Sequence, residues 1–302
     1  MQTIWQQLSK EISEAVAQAG RSVVAVDGRA GHTSSGILWR PDFVITAAHT
    51  LRQDANIAVI LQPGKSVRAR IAGRAPGADV AVLKLDQEID GTPADFGLTA
   101  SLAVGELVLA IGRTRRGNIV ASSGILSGLM GEWQAGRTRI DQFIRPDLTL
   151  YPGFSGGALI GAGGKILGMT AGGLLRGKPI TIPAPTLARV AEELASKGRL
   201  ASPYVGLVMQ PVTIPAALQN MSGVNAAAGL LVMHVEASGP AEAGGVLLGD
   251  ILVSLDGQGF DALEDLHEIL IRRGINQEVQ GTVIRGGQKL ELTLKIGERP
   301  LG

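Results

Sequence analysis

Three residues before position 160 have the types and the order that acyl transfer requires. The run Val44–Thr50 ends an apolar stretch on His49. The run Pro76–Leu85 delivers Asp79 from a turn into an apolar stretch, and the glycine-rich run Pro152–Leu159 carries Ser155 at its centre. A serine hydroxyl attacks a carbonyl only if a neighbouring base takes its proton. Histidine suits that task because it titrates near neutral pH, and a carboxylate on its other ring nitrogen fixes the tautomer and stabilises the imidazolium. The glycines around Ser155 allow the sharp turn that makes amides converge, so the N–H groups of Gly153 and Ser155 are the expected oxyanion donors. Each segment also has a plainer reading: a tight β-turn, a structural histidine at a strand end, an aspartate in turn chemistry. Taken together, in this order and in an all-β setting, they point to nucleophilic catalysis.

The elements that must hold these residues are short. From Ser22 to about Thr181, apolar runs such as "SVVAVDG", "SSGILW", "NIAVIL", "DVAVLKL" and "ELVLAIG" alternate closely with turn residues, which predicts an all-β sandwich or barrel. A helix closes this region, with Leu187, Val190, Ala191 and Leu194 at helical spacing and Gly198 at its C-terminal stop. After a linker-like stretch at Arg199–Gly206, strands are expected around Gly229–Glu236, Asp250–Asp256, Gln277–Arg285 and Lys289–Ile296. Gly286–Gly287 would turn the last hairpin. Between them lies one helix with Asp261 as N-cap and Leu263, Leu266, Ile269 and Leu270 on its buried side. This order predicts a small, partly open barrel with one or two helices. Ahead of everything, Ile4, Trp5, Leu8, Ile12 and Val16 mark a short amphipathic helix.

Composition narrows the function classes. A chain of 302 residues can bury two cores. Its net charge of +1 gives no electrostatic reason to expect nucleic acid, and the basic run Arg113–Arg116 reads as a solvated loop. There is no cysteine, which excludes disulfides and thiolate chemistry. The four histidines, His32, His49, His234 and His267, show no metal-ligand spacing, so neither metal nor cofactor is expected. His234 reads as structural, His267 as solvent-facing or partly buried. The N-terminus lacks the pattern of a signal peptide, and no run is long and apolar enough for a membrane span. As it stands, the sequence therefore suggests a soluble, cytoplasmic protein.

The segments "TAAHT", "ADVAVLKL" and "PGFSGGAL" resemble the three signatures of the HtrA (Deg) serine proteases, and the resemblance runs from about Ser22 to Arg299. It implies a mainly β protein with a chymotrypsin-like double β-barrel, in which His49 is the general base, Asp79 the orienting acid and Ser155 the nucleophile. It places Thr149, Leu150 and Phe154 at the primary specificity pocket, with a small or medium apolar side chain before the scissile bond. Two positions depart from the family pattern. Phe154 stands where an asparagine is usual, which sets a bulky ring beside the site, and "ITIP" (Ile180–Pro183) replaces a Gly-Phe-Ala-Ile-Pro run. The segment after the linker is similar to a PDZ domain, with Tyr204, Val205, Gly206 and Leu207 as its carboxylate-binding loop and Leu263 or Leu266 lining an apolar pocket.

The expected boundaries are 1–21 for the N-terminal helical segment, 22–198 for the protease domain, 199–203 for the linker and 204–298 for the PDZ domain. The resemblance further implies an endopeptidase acting on unfolded or damaged polypeptides. The PDZ domain would bind apolar C-termini or extended peptides, Ile4 and Trp5 would contribute to a homotrimer, and the protein would reside in the cell envelope. A reading from another class stays open: a peptide-binding chaperone or scaffold whose protease site is retained but inactive, which Phe154 favours. Only "GRAGHTSS" (Gly28–Ser35) separates the first two expected strands, leaving no room for the long regulatory insertion of some relatives.

Overall fold

The computed structural model describes residues 3–299 apart from 30–31, 53, 137, 176–177 and 261. It divides into two compact units, Met1–Leu200 and Ala201–Gly302.

In the first unit, helix α1 (Ile4–Gly20) precedes six antiparallel strands, β1 (Val23–Arg29), β2 (His32–Arg40), β3 (Phe43–Ala47), β4 (Ile57–Gln62), β5 (Lys65–Ala75) and β6 (Val80–Leu85). They close a barrel in the order β1-β2-β3-β6-β5-β4. A second set follows: β7 (Leu107–Arg113), β8 (Ile119–Met130), β9 (Trp133–Ala135), β10 (Thr138–Ile140), β11 (Phe143–Asp147), β12 (Ala158–Gly161), β13 (Ile166–Leu175) and β14 (Lys178–Pro183). Here β9 and β10 form a separate ribbon, and the others close a barrel in the order β11-β14-β13-β12-β7-β8. The fold is thus mainly β, with two closed six-stranded barrels.

The apolar runs build both barrels because side chains alternate along a strand. Val24, Val26, Leu38 and Val44 fill the first barrel. Their neighbours Val23, Ile37 and Ile45 face the other way and pack with Leu109, Ile111, Ile160 and Ile182 of the second barrel. The same alternation sends Val108, Ala110, Leu159 and Leu167 into the second barrel's interior. Helix α2 (Ala184–Lys197) adds Leu187, Val190, Ala191 and Leu194 to the shared core and ends on Gly198 in a left-handed conformation (φ 75°), as its sequence indicates.

Two expectations fail in this unit. The run Arg113–Arg116 is not a wholly solvated loop, because Arg113 ends β7 and is 7% exposed. Its guanidinium donates to the carbonyls of Val23 (2.5 Å), Gly117 (2.6 Å) and Gly20 at the end of α1 (2.5 Å). Five donors in a planar fork let arginine satisfy several carbonyls at once, and a cation suits a helix C-terminus. In the stretch read as separating the first two strands, Gly28 and Arg29 belong to β1 and His32–Ser35 to β2, and the two strands pair antiparallel.

The second unit contains β15 (Pro203–Tyr204), β16 (Leu207–Thr213), α3 (Ala216–Ser222), β17 (Ala228–Val235), α4 (Pro240–Ala243), β18 (Ile251–Leu255), β19 (Gln258–Gly259), α5 (Leu263–Arg273), β20 (Glu278–Arg285), β21 (Gln288–Lys295) and β22 (Gly297–Glu298). The main sheet has the order β16-β17-β18-β20-β21, which leaves β16 at its edge. Pro211 within β16 is compatible with that place, because an edge strand need not donate on both sides. Gly286 and Gly287, both at positive φ, turn the last hairpin as expected. Leu266, Ile269 and Leu270 of α5 enter the core, and Leu263 packs at its margin. The expected N-cap, Asp261, lies outside the described residues. Ala262 occupies the cap position, with its N–H donating to Asp265 Oδ2 at 2.8 Å. The turn before β18 is tied to the end of β20 by Arg285, whose Nε and Nη2 donate to the buried Asp250 carboxylate at 2.8 and 2.7 Å.

Candidate active site

His49 sits in a 3-10 turn (Ala48–Thr50) at the end of β3, and Asp79 follows a second such turn (Pro76–Ala78) that opens β6. Since β3 and β6 are paired, with Ala47 opposite Val80, the two turns lie side by side. Asp79 adopts a left-handed conformation (φ 55°), one that aspartate tolerates better than most residues. It is 4% exposed. One carboxylate oxygen accepts the His49 backbone N–H at 2.9 Å, and the other meets His49 Nδ1 at 2.7 Å. The ring is thereby fixed with Nδ1 towards the carboxylate and Nε2 free for a proton transfer.

The hydrogen bond to Asp79 raises the pKa of His49 above its ordinary 6.5, and the carboxylate's charge adds to the rise while burial opposes it.

Ser155 comes to the same place from the second barrel. A side chain built on Gly172 would touch Ser155 Oγ at 3.4 Å, and one built on Gly173 would lie 2.8 Å from His49 Nδ1 and 3.2 Å from Asp79 Oδ2. The Gly172–Gly173 step of β13 therefore runs along all three residues, and Gly173 has no room for a Cβ. This glycine pair belongs to the site although the sequence signals it only as two glycines after an apolar run.

The loop around Ser155 is tied by its carbonyls. Those of Gly153, Phe154 and Ser155 accept from Ser35 Oγ (2.7 Å), Thr170 Oγ1 (2.7 Å) and Ser35 N–H (3.0 Å). The Phe154 N–H donates to Tyr151 O at 3.1 Å. Among the described residues, the N–H groups of Gly153 and Ser155 donate to no protein acceptor. Two unpaired donors flanking one hydroxyl are what a developing oxyanion requires. Gly156 and Gly157 are forced by close approach, since a Cβ would fall 2.2 Å from Ser35 O and from Ile111 O respectively.

Of the expected pocket residues, Leu150 and Phe154 belong to one apolar cluster of the second barrel and Thr149 does not. Thr149 is exposed and Leu150 half-buried. Phe154 is not beside an open cleft: it is 2% exposed and packs with Val108, Ala110, Leu126, Ile144, Leu159 and Leu167 in the second barrel. Its backbone lies in the nucleophile loop while its ring anchors that loop to the barrel, where an apolar ring is favoured over solvent by about 1.5–3 kcal/mol. Among the described residues, no three His, Cys, Asp or Glu side chains converge as metal ligands would.

The second unit has a site of its own. A groove of about 820 Å³ is lined by Tyr204, Val205, Gly206, Leu207, Leu263 and Leu266, the residues singled out from the sequence. It also takes in Val208, Met209, Glu236 and Arg299, together with His234, His267 and Leu270, for which the sequence had indicated other places. His234 is thus an exposed groove residue rather than a structural one. Val205 O and Gly206 O accept from Ala241 N and Glu236 N, both at 2.9 Å. Because the peptide unit is planar and trans, binding the Val205 carbonyl turns the Gly206 N–H the opposite way.

Comparison with known proteins agrees with this division. Residues 34–169 match the trypsin-like peptidase domain and residues 204–296 the PDZ domain. The chain is 29% identical over 280 residues to HhoA of Synechocystis, covering 89% of this chain and 71% of that one. It is 28% identical over 287 residues to the serine protease Do-like HtrA of Bacillus subtilis, covering 88% of this chain and only 64% of that one. Among solved structures, the HtrA-type protease AlgW with a decapeptide superimposes with a TM-score of 0.69 at 26% identity, over 96% of this chain and 99% of that chain. The chain thus joins a trypsin-like peptidase domain to a PDZ domain. Its homologues and structural neighbours are HtrA-type serine proteases.

Proposed function

We propose that the protein is a serine endopeptidase that hydrolyses peptide bonds of unfolded or damaged polypeptides through an acyl-enzyme. The observation that carries this is the His49–Asp79 pair, bonded at 2.7 Å and meeting Ser155 along Gly172–Gly173. His49 Nε2 takes the Ser155 proton as Oγ attacks the substrate carbonyl, and Asp79 stabilises the imidazolium. The N–H groups of Gly153 and Ser155 hold the oxyanion. His49 then returns the proton to the leaving amine, and water hydrolyses the ester by the same steps. The burial of Phe154 supports a working loop over a latent scaffold, because the ring anchors the loop and leaves the nucleophile's surroundings open. In this reading residues 22–198 form the protease domain and 204–298 the PDZ domain. Casein provides the test: fragments accumulating with time support the assignment, and casein left intact by folded protein contradicts it.

The PDZ groove would hold the C-terminus of an apolar peptide, added as a strand beside β16 with its carboxylate at the Tyr204–Leu207 loop. Hydrogen bonds to a charged group contribute about 1.5–3 kcal/mol. Converting the peptide's terminal carboxylate to an amide should therefore weaken binding about tenfold or more in a fluorescence-polarisation titration. Equal binding of acid and amide would place recognition elsewhere.

We also propose a homotrimer assembled through α1. Ile12 and Val16 of this helix pack on the barrels, whereas Ile4 and Trp5 are 86% and 80% exposed. Sedimentation velocity should show the trimer dissociating in Trp5→Ala; a wild-type monomer at micromolar concentration refutes the assembly.

A further inference from the structure

We infer that two buried hydroxyls, Ser35 of β2 and Thr170 of β13, are positioning residues for the oxyanion hole, each acting through a carbonyl of the nucleophile loop. The inference rests on the proteolytic reading above and adds residues that no part of the Ser-His-Asp pattern supplies.

The nucleophile loop needs outside support. Gly153 and Gly156 both lie at positive φ (98° and 86°), where glycine has wide conformational choice. The loop's own turn bonds, Phe154 N–H to Tyr151 O at 3.1 Å and Gly157 N–H to Phe154 O at 2.8 Å, hold its peptide planes in part, and contacts from outside complete the hold. The two barrels supply those contacts from opposite sides. Ser35, fully buried, donates its Oγ–H to Gly153 O at 2.7 Å and its N–H to Ser155 O at 3.0 Å. Thr170, also fully buried, places Oγ1 2.7 Å from Phe154 O and 3.2 Å from Gly157 O. A hydroxyl has one proton, and Phe154 O at 2.7 Å is nearer than Gly157 O at 3.2 Å, so the Thr170 hydroxyl serves Phe154 O, which also accepts the Gly157 N–H at 2.8 Å.

The geometry of one peptide plane gives that contact its consequence. Phe154 O and Ser155 N–H belong to the same planar trans unit and point in opposite directions. Holding the carbonyl against Thr170 aims the Ser155 N–H away from the barrel, where no protein group accepts it. Without the Thr170 hydroxyl the Gly157 N–H alone holds this carbonyl, so the unit is freer to rotate and turn the donor from the reacting centre. Ser35 acts on the next units, holding Gly153 O and Ser155 O at either end of the same stretch. It is itself fixed: its Oγ accepts the Arg113 N–H at 2.9 Å, and its carbonyl accepts Thr46 Oγ1 at 2.6 Å. Neither hydroxyl faces solvent or substrate, which distinguishes both from catalytic residues.

The test uses the whole chain with Thr170→Val, Thr170→Ser and Ser35→Ala. Valine keeps the shape of threonine and removes the donor; serine keeps the donor. For a peptide substrate, Thr170→Val should lower kcat roughly 10- to 100-fold, less than the roughly 10²–10³ lost with a donor itself. KM should stay within about twofold, since a contact felt only in the transition state does not alter ground-state binding. Affinity for a peptide boronate, a tetrahedral mimic, should fall in step with kcat. Thr170→Ser should restore both. Thermal unfolding and PDZ peptide binding confirm that each variant is folded, and Ser35→Ala carries the same prediction if the valine variant does not fold. Wild-type kcat and boronate affinity in the folded variants overturn the inference, as does an equal loss in Thr170→Ser. Ser155→Ala separates the two levels: if it is inactive while the hydroxyl variants are fully active, only this inference falls.

Discussion

Ser155→Ala should abolish casein cleavage, with kcat falling by about 10⁶-fold, the scale seen when a catalytic serine is removed elsewhere. The loss is large because the oxyanion donors and the base then act on no nucleophile. Some residual hydrolysis above the uncatalysed rate is expected, since the Gly153 and Ser155 amides belong to the backbone and survive the substitution. Binding at the PDZ groove should be unchanged, because Tyr204–Leu207, Leu263 and Leu266 form that groove within the second unit. Undiminished casein cleavage by the variant removes Ser155 from the mechanism.

Asp79→Asn has the second largest expected effect, a drop in kcat of about 10⁴-fold. Asparagine fills the same space and can still accept the His49 backbone N–H. It cannot supply a carboxylate to Nδ1, so the imidazole loses its enforced tautomer and its counter-charge. The pH profile adds a second readout. His49 works as a base only when neutral, and its pKa is raised above 6.5 mainly by the hydrogen bond to Asp79. In the wild type, kcat/KM should therefore fall as pH drops through a point above 6.5. In Asp79→Asn both raising causes disappear and only burial remains, so the midpoint should move to lower pH. A profile that stays in place would show that the carboxylate does not govern the base.

The proposed triad was legible as a candidate because each member closes a short, self-declaring pattern. His49 follows a strand, Asp79 opens one, and Ser155 sits among glycines that mark a sharp turn. Closely spaced apolar runs indicated an all-β sandwich or barrel, the family resemblance implied two barrels, and α2 followed from its spacing together with Gly198. What the sequence hid was direction. Phe154 lies one residue from the nucleophile, yet whether its ring enters the cleft or the barrel depends on strands up to 46 residues earlier in the chain, at Val108. Arg113 reads as part of a basic loop because composition does not reveal that it ends a buried strand and meets three carbonyls. Ser35 and Thr170 look like ordinary strand hydroxyls until the loop's carbonyls arrive beside them. His234 was misread for a related reason: its exposure depends on which way β17 faces, and its place in the groove depends on the approach of α5.

The central claim is that His49 and Asp79 make Ser155 an activated nucleophile, and covalent labelling tests it most directly. A fluorophosphonate probe should add one adduct, mapped by mass spectrometry to Ser155. The labelling rate should fall at acid pH as His49 is protonated and drop sharply in Asp79→Asn. Folded protein that binds C-terminal peptides but shows no adduct at Ser155 would contradict the account.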